Sequence, residues 1–213
     1  MANVYLHYVL DLWFHKLVVP HSRGEACLIR YADDFVCAFE KREEAERFLQ
    51  ALPRRLAKFG LTLSPEKTRL IPFSRELPGS MSFDFLGFEF RWDKDRAGKP
   101  HVSRRTARKS LRSSLKNFKA WCRENHHLRL KELFALLNAK LRGYFHCFGI
   151  RGNFRSLQQF FRQALRFLYR WLNQRSQRES YTWSGFQALV EQFGIEKPRI
   201  VAHARARPAS SMA

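Results

Sequence analysis

Arg30-Tyr31-Ala32-Asp33-Asp34-Phe35 sets two adjacent carboxylates between two short apolar runs. Cys27-Leu28-Ile29-Arg30-Tyr31 precedes them and Phe35-Val36-Cys37-Ala38-Phe39 follows. Both runs are rich in β-branched and aromatic residues, and Ala-Asp-Asp between them reads as a tight turn. The stretch therefore predicts a β-hairpin with two aspartates at its tip. Like charges this close disfavour joint ionisation. A divalent cation removes that conflict, and hard oxygen ligands suit Mg²⁺ or Mn²⁺. The competing reading is an ordinary surface turn, where Asp is common and well solvated. An isolated Asp-Asp favours the plain turn, so its neighbours must decide.

Outward from the hairpin, the first half reads as α+β. Val4, Leu6, Tyr8, Val9, Leu12, Trp13 and Leu17 recur at spacings of three and four, which predicts an amphipathic helix over 1–16. Pro20 to Glu25 reads as a polar connector. Ala45, Phe48, Leu49, Leu52, Leu56 and Phe59 predict a helix over 41–60 closed by Gly60, with Pro53 expected to kink or split it. Leu61-Thr62-Leu63 and Thr68–Phe73 read as extended segments around a Ser64–Lys67 turn, and 74–82 as a loop containing Pro78-Gly79. Phe83 to Trp92 reads as one strand, with Gly87 marking a bulge or a close backbone approach.

Charge divides the chain. The 213 residues carry 39 Lys and Arg against 19 Asp and Glu, a formal net charge of +20, which points to a polyanionic partner, nucleic acid before an anionic membrane surface. Residues 1–103 carry 16 basic and 14 acidic side chains, whereas residues 104–180 carry 19 and three. A domain boundary is expected near Pro100–Arg104, after the turn-like run Asp93 to Pro100. Beyond it the pattern is helical: Ser103 to about Glu124, about Leu130 to Cys147, Phe154 to Asn173, and a short fourth helix over Trp183–Phe193. The tail from Ala202 has no core pattern and is expected to be disordered.

At 45% hydrophobic the chain can bury a core. Cys27, Cys37, Cys122 and Cys147 form no CxxC pair, which argues against zinc and against a disulfide framework and fits a reducing cytosol. Neither a signal peptide nor a run of roughly 18 apolar residues is present.

Four segments in order then carry a resemblance. Tyr31-Ala32-Asp33-Asp34 resembles the YxDD signature of reverse transcriptase palms. Ala2–Leu6 resembles the end of the preceding polymerase block, Phe59–Thr68 the following one, and Phe85-Leu86-Gly87-Phe88 the one after. Arg142-Gly143-Tyr144-Phe145 through Gly149-Ile150, with Tyr169-Arg170-Trp171-Leu172, resembles the maturase-specific thumb, or X, domain. The chain thus resembles a group II intron-encoded reverse transcriptase/maturase over roughly residues 1–195. The fold this implies is an α+β palm fragment (1–100), followed by an all-α thumb/maturase domain (104–195) and a basic tail (202–213).

The resemblance also implies chemistry: two-metal nucleotidyl transfer by an RNA-directed DNA polymerase, coupled to intron RNA binding, splicing and mobility. Asp33 and Asp34 would be the Mg²⁺ (or Mn²⁺) ligands. Lys67 would lie near the nucleotide phosphates, though it reads equally as a solvated turn lysine. Tyr31 would flank primer or template. Phe85, Leu86 and Gly87 would form a primer grip, or simply a core strand. The implied partners are an RNA template, a DNA primer, dNTP and the intron RNA, in a cytoplasmic, RNA-associated setting.

The family palm also uses an earlier aspartate and fingers, which this chain begins too late to include. It is therefore expected to be the C-terminal part of a larger polymerase, incomplete and inactive by itself, with the earlier portion as a possible partner. For the basic half, Arg104, Arg105, Arg108, Lys109 and Arg112 read as a stripe on the first helix. Arg162, Arg166 and Arg170 share one face of the third, and Arg151 and Arg155 flank the Gly-Asn loop. Together they are candidate RNA contacts. An RNA-binding maturase module, or a truncated remnant, without polymerase activity is the alternative function.

Overall fold

Two hydrophobic clusters organise the chain, one under the Asp-Asp hairpin and one among the later helices. The computed structural model describes residues 2–76, 81–174 and 181–201. The architecture is α+β and divides into two compact units. Met1–Leu86 with Arg91–Val102 forms one; Gly87–Phe90 with Ser103–Ala213 forms the other. The Pro78-Gly79 loop and the tail from Ala202 lie outside the described residues.

In the first unit, α1 (2–21) is a continuous helix, but not a regular one. It runs as Ala2–Leu6, a π-helical turn His7–Asp11, a second π-helical turn Phe14–Val18, and Val19–His21. Leu12 donates its backbone N–H to His7 and Val19 donates to Phe14, each five residues back. Val9, Leu10 and Phe14 form the buried face of this helix, while Val4 is 63% and Tyr8 62% exposed. The helix also continues past Lys16 through Pro20. Pro20 falls in the last turn of the continuous helix, which ends at His21, so it interrupts the backbone ladder only at its close. The Ser22 hydroxyl and the His21 ring donate to the Val18 and Leu17 carbonyls.

β1 (Ala26–Tyr31) and β2 (Asp34–Phe39) pair antiparallel, with Ala26 opposite Phe39 and Tyr31 opposite Asp34. Side-chain alternation sends Leu28, Phe35, Cys37 and Phe39 into the core with Phe14, Phe48, Leu52 and Leu56. α2 (Arg42–Ala57) stays in one piece despite Pro53. Phe48 before the proline and Leu52 and Leu56 around it are all buried, and their burial outweighs the lost backbone bond. Gly60, at φ 67°, closes the helix: Leu61 donates to the Leu56 carbonyl and Gly60 to that of Ala57. The segments 61–63 and 68–73, expected as strands, join no sheet, and the local backbone bonds run instead from Lys67 and Thr68 back to Ser64.

β3 (Ser82–Phe85), β4 (Phe88–Lys94) and β5 (Pro100–Thr106) form a three-stranded sheet in that order. The expected single strand 83–92 is therefore two strands around a tight turn. Leu86 and Gly87 both take positive φ, 51° and 81°, the pattern of a two-residue hairpin loop. β5 also claims Pro100 to Thr106, so Ser103 and Arg104 lie on a strand and the helix begins only at Arg108. The alternation of His101, Ser103 and Arg105 with Val102 and Arg104 suits a strand once β4 offers its edge.

In the second unit, α3 (Arg108–Asn125), α4 (Leu130–Phe148), α5 (Phe154–Asn173) and α6 (Trp183–Gln192) enclose one core. Phe118, Phe134, Leu137, Leu141, Phe145, Leu157, Leu168 and Phe186 lie within it, and Tyr144 stacks on Phe160 with ring centroids 3.6 Å apart. The segment after α6 runs back along α4. Glu196 receives Arg142 at 3.2 Å, and Val201 donates to the Gly149 carbonyl at 2.7 Å.

Asn153 is 1% exposed and opens α5, yet its side chain does not cap the helix. Its Oδ1 accepts from the Thr106 backbone N–H at 2.7 Å. Its Nδ2 donates to Thr106 Oγ1 and to the Phe148 carbonyl, each at 2.8 Å. Asn153→Ala strands the buried Thr106 N–H and hydroxyl, while the Phe148 carbonyl keeps its bond from the Ile150 N–H, and is expected to cost about 3 kcal/mol. A denaturant midpoint lowered at unchanged slope would report it; an unaltered midpoint would contradict the assignment.

Candidate active site and nucleic-acid face

Tyr31, Ala32, Asp33 and Asp34 are all exposed at the end of the β1–β2 hairpin. Tyr31 faces Asp34 across the first strand pair, and Ala32 and Asp33 form the two-residue loop. Ala32 has φ 54°, a left-handed conformation that glycine normally fills at this point of a hairpin. The turn thus presents two carboxylates from a strained, rigidly supported tip.

The support comes from Arg30, on the inward face of β1. Its Nε and Nη2 donate to the two Asp11 carboxylate oxygens, each at 2.7 Å. Nη1 donates to the Ala32 carbonyl at 2.8 Å and to Asn3 Oδ1 at 3.2 Å, and Nη2 also reaches the Asn3 carbonyl at 3.5 Å. The Arg30 and Asp11 side chains are only 13% and 18% exposed. Hydrogen bonding from Arg30 holds the Asp11 carboxyl below its ordinary 3.8, with a smaller contribution from His7, while burial opposes it.

A depressed folded-state pKa means that the pair stabilises the fold fully above that ordinary value and loses its contribution as pH falls below 3.8. The stability difference between the parent and Asp11→Asn should therefore shrink as acid is added. A pH-independent difference in urea melts would contradict this.

A second arginine braces the same helix. Arg55 Nε donates to the Val9 carbonyl at 3.0 Å, beside the first π-turn, and its guanidinium lies 4.5 Å from the Phe59 ring centroid. Sequence reasoning passed over Arg30, Asp11, Asn3 and Arg55. No local pattern links residues 19 to 46 positions apart, and the π-winding that aims Asp11 leaves no mark in the hydrophobic spacing.

Of the other candidates, Lys67 is exposed in the turn after α2 and makes no ion pair among the described residues. β3 lies beside β2 and leads into the Phe85–Phe88 turn, where Leu86 is exposed. Gly87 accepts from the Ala107 N–H at 2.9 Å, and an added Cβ would meet Ser110 and Phe148. Those contacts are of ordinary van der Waals length, so it is the positive φ of 81° that favours a glycine there.

As metal donors, the Asp33 and Asp34 carboxylates have the hard-oxygen chemistry that Mg²⁺ or Mn²⁺ takes. They form a partial set. Among the described residues no three His, Cys, Asp or Glu side chains gather into a metal-holding group.

On the second unit, α5 opposes its buried stripe (Leu157, Phe160, Ala164, Leu168, Leu172) with an exposed one of Arg155, Gln159, Arg162, Arg166 and Arg170. The helix carries no acidic residue, and none of these four arginines makes an ion pair among the described residues. A polar surface depression of about 320 Å³ lies among Arg155, Gln158, Gln159, Arg162, Gln163 and Arg166. Arg151 is exposed in the turn before α5, and Arg108, Lys109 and Arg112 are exposed on α3. Arg104 is exposed too, but on β5. Arg105 differs: it holds Glu89 through two bonds of 2.7 and 2.8 Å, so it is not a free surface charge.

Residues 1–90 match the family model described as reverse transcriptase (RNA-dependent DNA polymerase). No curated protein matches the chain. The matched stretch is the one that carries the Asp33–Asp34 tip. Among the described residues no helix is long and apolar enough to cross a membrane.

Proposed function

We propose that this chain is the palm-and-thumb portion of a group II intron reverse transcriptase/maturase, with a palm segment over 1–100 and a maturase-type helical domain over 104–195. The observation that carries the reading is the exposed Asp33-Asp34 pair at a braced hairpin turn, inside the stretch that matches the reverse transcriptase family. Asp33 and Asp34 would hold Mg²⁺, which when bound activates a primer hydroxyl and steadies the leaving pyrophosphate. Tyr31 would flank the primer end, Lys67 would meet nucleotide phosphates, and Phe85, Leu86 and Gly87 would grip the primer. The arginines of α5, with Arg104, Arg108, Lys109, Arg112 and Arg151, would take intron RNA phosphates; Arg105 is left out because Glu89 occupies it.

The arginine stripe of α5, which has no ion-pair partner among the described residues, favours a second reading, an RNA-binding maturase module that does not polymerise. One experiment separates the two: RNA-templated primer extension with Mg²⁺, run beside intron-RNA binding on the same preparation. Incorporation abolished by Asp33→Asn supports the polymerase. RNA binding without incorporation supports the module, and neither activity overturns both.

A further inference from the structure

We propose that Arg30 is a positioning residue that sets the geometry of the Asp33–Asp34 tip, anchored by Asp11 from the π-helical turn of α1. The proposal rests on the metal-hairpin reading above and adds to it the device that aims the carboxylates.

Three observations carry it. First, the guanidinium is fully occupied. Its five N–H donors meet the two Asp11 oxygens, the Ala32 carbonyl, Asn3 Oδ1 and the Asn3 carbonyl. With no donor left over and only 13% of its side chain exposed, Arg30 is not a phosphate ligand despite its place beside the turn.

Second, the atom it holds is the one that matters for Asp33. The Ala32 carbonyl belongs to the same rigid peptide plane as the Asp33 N–H. Fixing that oxygen at 2.8 Å fixes the plane from which the Asp33 side chain departs. Ala32 at φ 54° is strained for a residue with a Cβ, and a strained turn relaxes unless its surroundings over-determine it. The hydrogen bond from Arg30 supplies that constraint.

Third, Asp11 reaches Arg30 from an irregular helix. Asp11 is the last residue of the His7–Asp11 π-turn, and such turns inside helices are frequent at functional sites. A bidentate carboxylate–guanidinium pair fixes direction as well as distance. The helix, the strand and the turn are thereby locked together through one planar group.

The test compares Arg30→Met, Arg30→Lys and Asp11→Asn with Arg55→Met, which removes a brace between α1 and α2 that does not touch the turn. Amide ¹H–¹⁵N shifts and hydrogen exchange at Ala32, Asp33 and Asp34 are read without metal, under conditions where each variant is folded. Mn²⁺ affinity is then read from paramagnetic broadening of the same amides.

Arg30→Met and Asp11→Asn should shift the tip amides, accelerate their exchange and weaken Mn²⁺ at least tenfold. Arg30→Lys should not restore them, because an ammonium cannot replace the planar fork. Arg55→Met should lower thermal stability and leave the tip unmoved. Should Arg30→Met fail to fold, Asp11→Asn decides, since it keeps the side chain's size.

Unchanged tip amides in folded Arg30→Met or Asp11→Asn overturn the proposal, as does an equal disturbance in Arg55→Met. Absence of Mn²⁺ broadening in the parent chain sinks the metal reading alone, because the metal-free amide measurements still decide the clamp.

Discussion

Asp33→Asn is expected to reduce RNA-templated incorporation at least about a hundredfold in any preparation of the chain that supports it, while leaving RNA affinity within about twofold. Removing even an outer partner of a metal ligand typically costs 10–100-fold, and a ligand itself should cost no less. The amide keeps the size of the side chain and loses the negative oxygen that a hard cation requires. Asp33 is exposed in a two-residue loop, so the fold should survive within about 0.5 kcal/mol. The measurement is single-nucleotide extension of a DNA primer on RNA, with RNA affinity titrated in parallel. Incorporation that survives the substitution would remove the tip from the chemistry. A parallel fall in RNA affinity would mean that the turn binds nucleic acid directly.

Neutralising Arg162, Arg166 and Arg170 together with glutamine is the second large effect. These side chains share one exposed face of α5, have no ion-pair partner among the described residues, and stand on a helix without acidic residues. Three lost phosphate contacts should flatten the slope of log affinity against log salt by about 2 to 3 and weaken binding on the order of a hundredfold at 0.1 M salt. Glutamine retains good helix propensity and the buried stripe is untouched, so the melting temperature should change little. Arg105→Gln is the counter-example. It should cost stability by freeing Glu89, yet leave the salt slope intact. Equal slopes for the triple variant and the parent would place the RNA face elsewhere.

Much of this architecture was legible in the residues. The Asp33–Asp34 hairpin, α2 closed at Gly60, and α4 and α5 each follow from hydrophobic spacing and from glycine or proline punctuation close at hand. These are local features, with a nearest-neighbour cause for each boundary. The errors have one physical source, which is that a partner far along the chain overrode the local pattern. Pro100–Thr106 is a strand because β4 supplies an edge. Phe83–Trp92 breaks at Leu86-Gly87, where both residues take positive φ and the N–H of Ala107, far along the chain, bonds the Gly87 carbonyl.

The same division holds at the candidate site. The sequence alone determined which groups are offered: two carboxylates at a turn in a reverse transcriptase-like order, and a run of arginines at helical spacing. Only the tertiary structure decided what those groups can do. It joined Arg30 to Asp11 and to the Ala32 carbonyl, and in doing so made an exposed turn rigid. It also paired Arg105 with Glu89 while, among the described residues, leaving Arg162, Arg166 and Arg170 without an acidic partner, a distinction of availability between identical side chains. Residue type sets the charge, whereas the neighbours that folding brings within about 3 Å decide whether that charge is free.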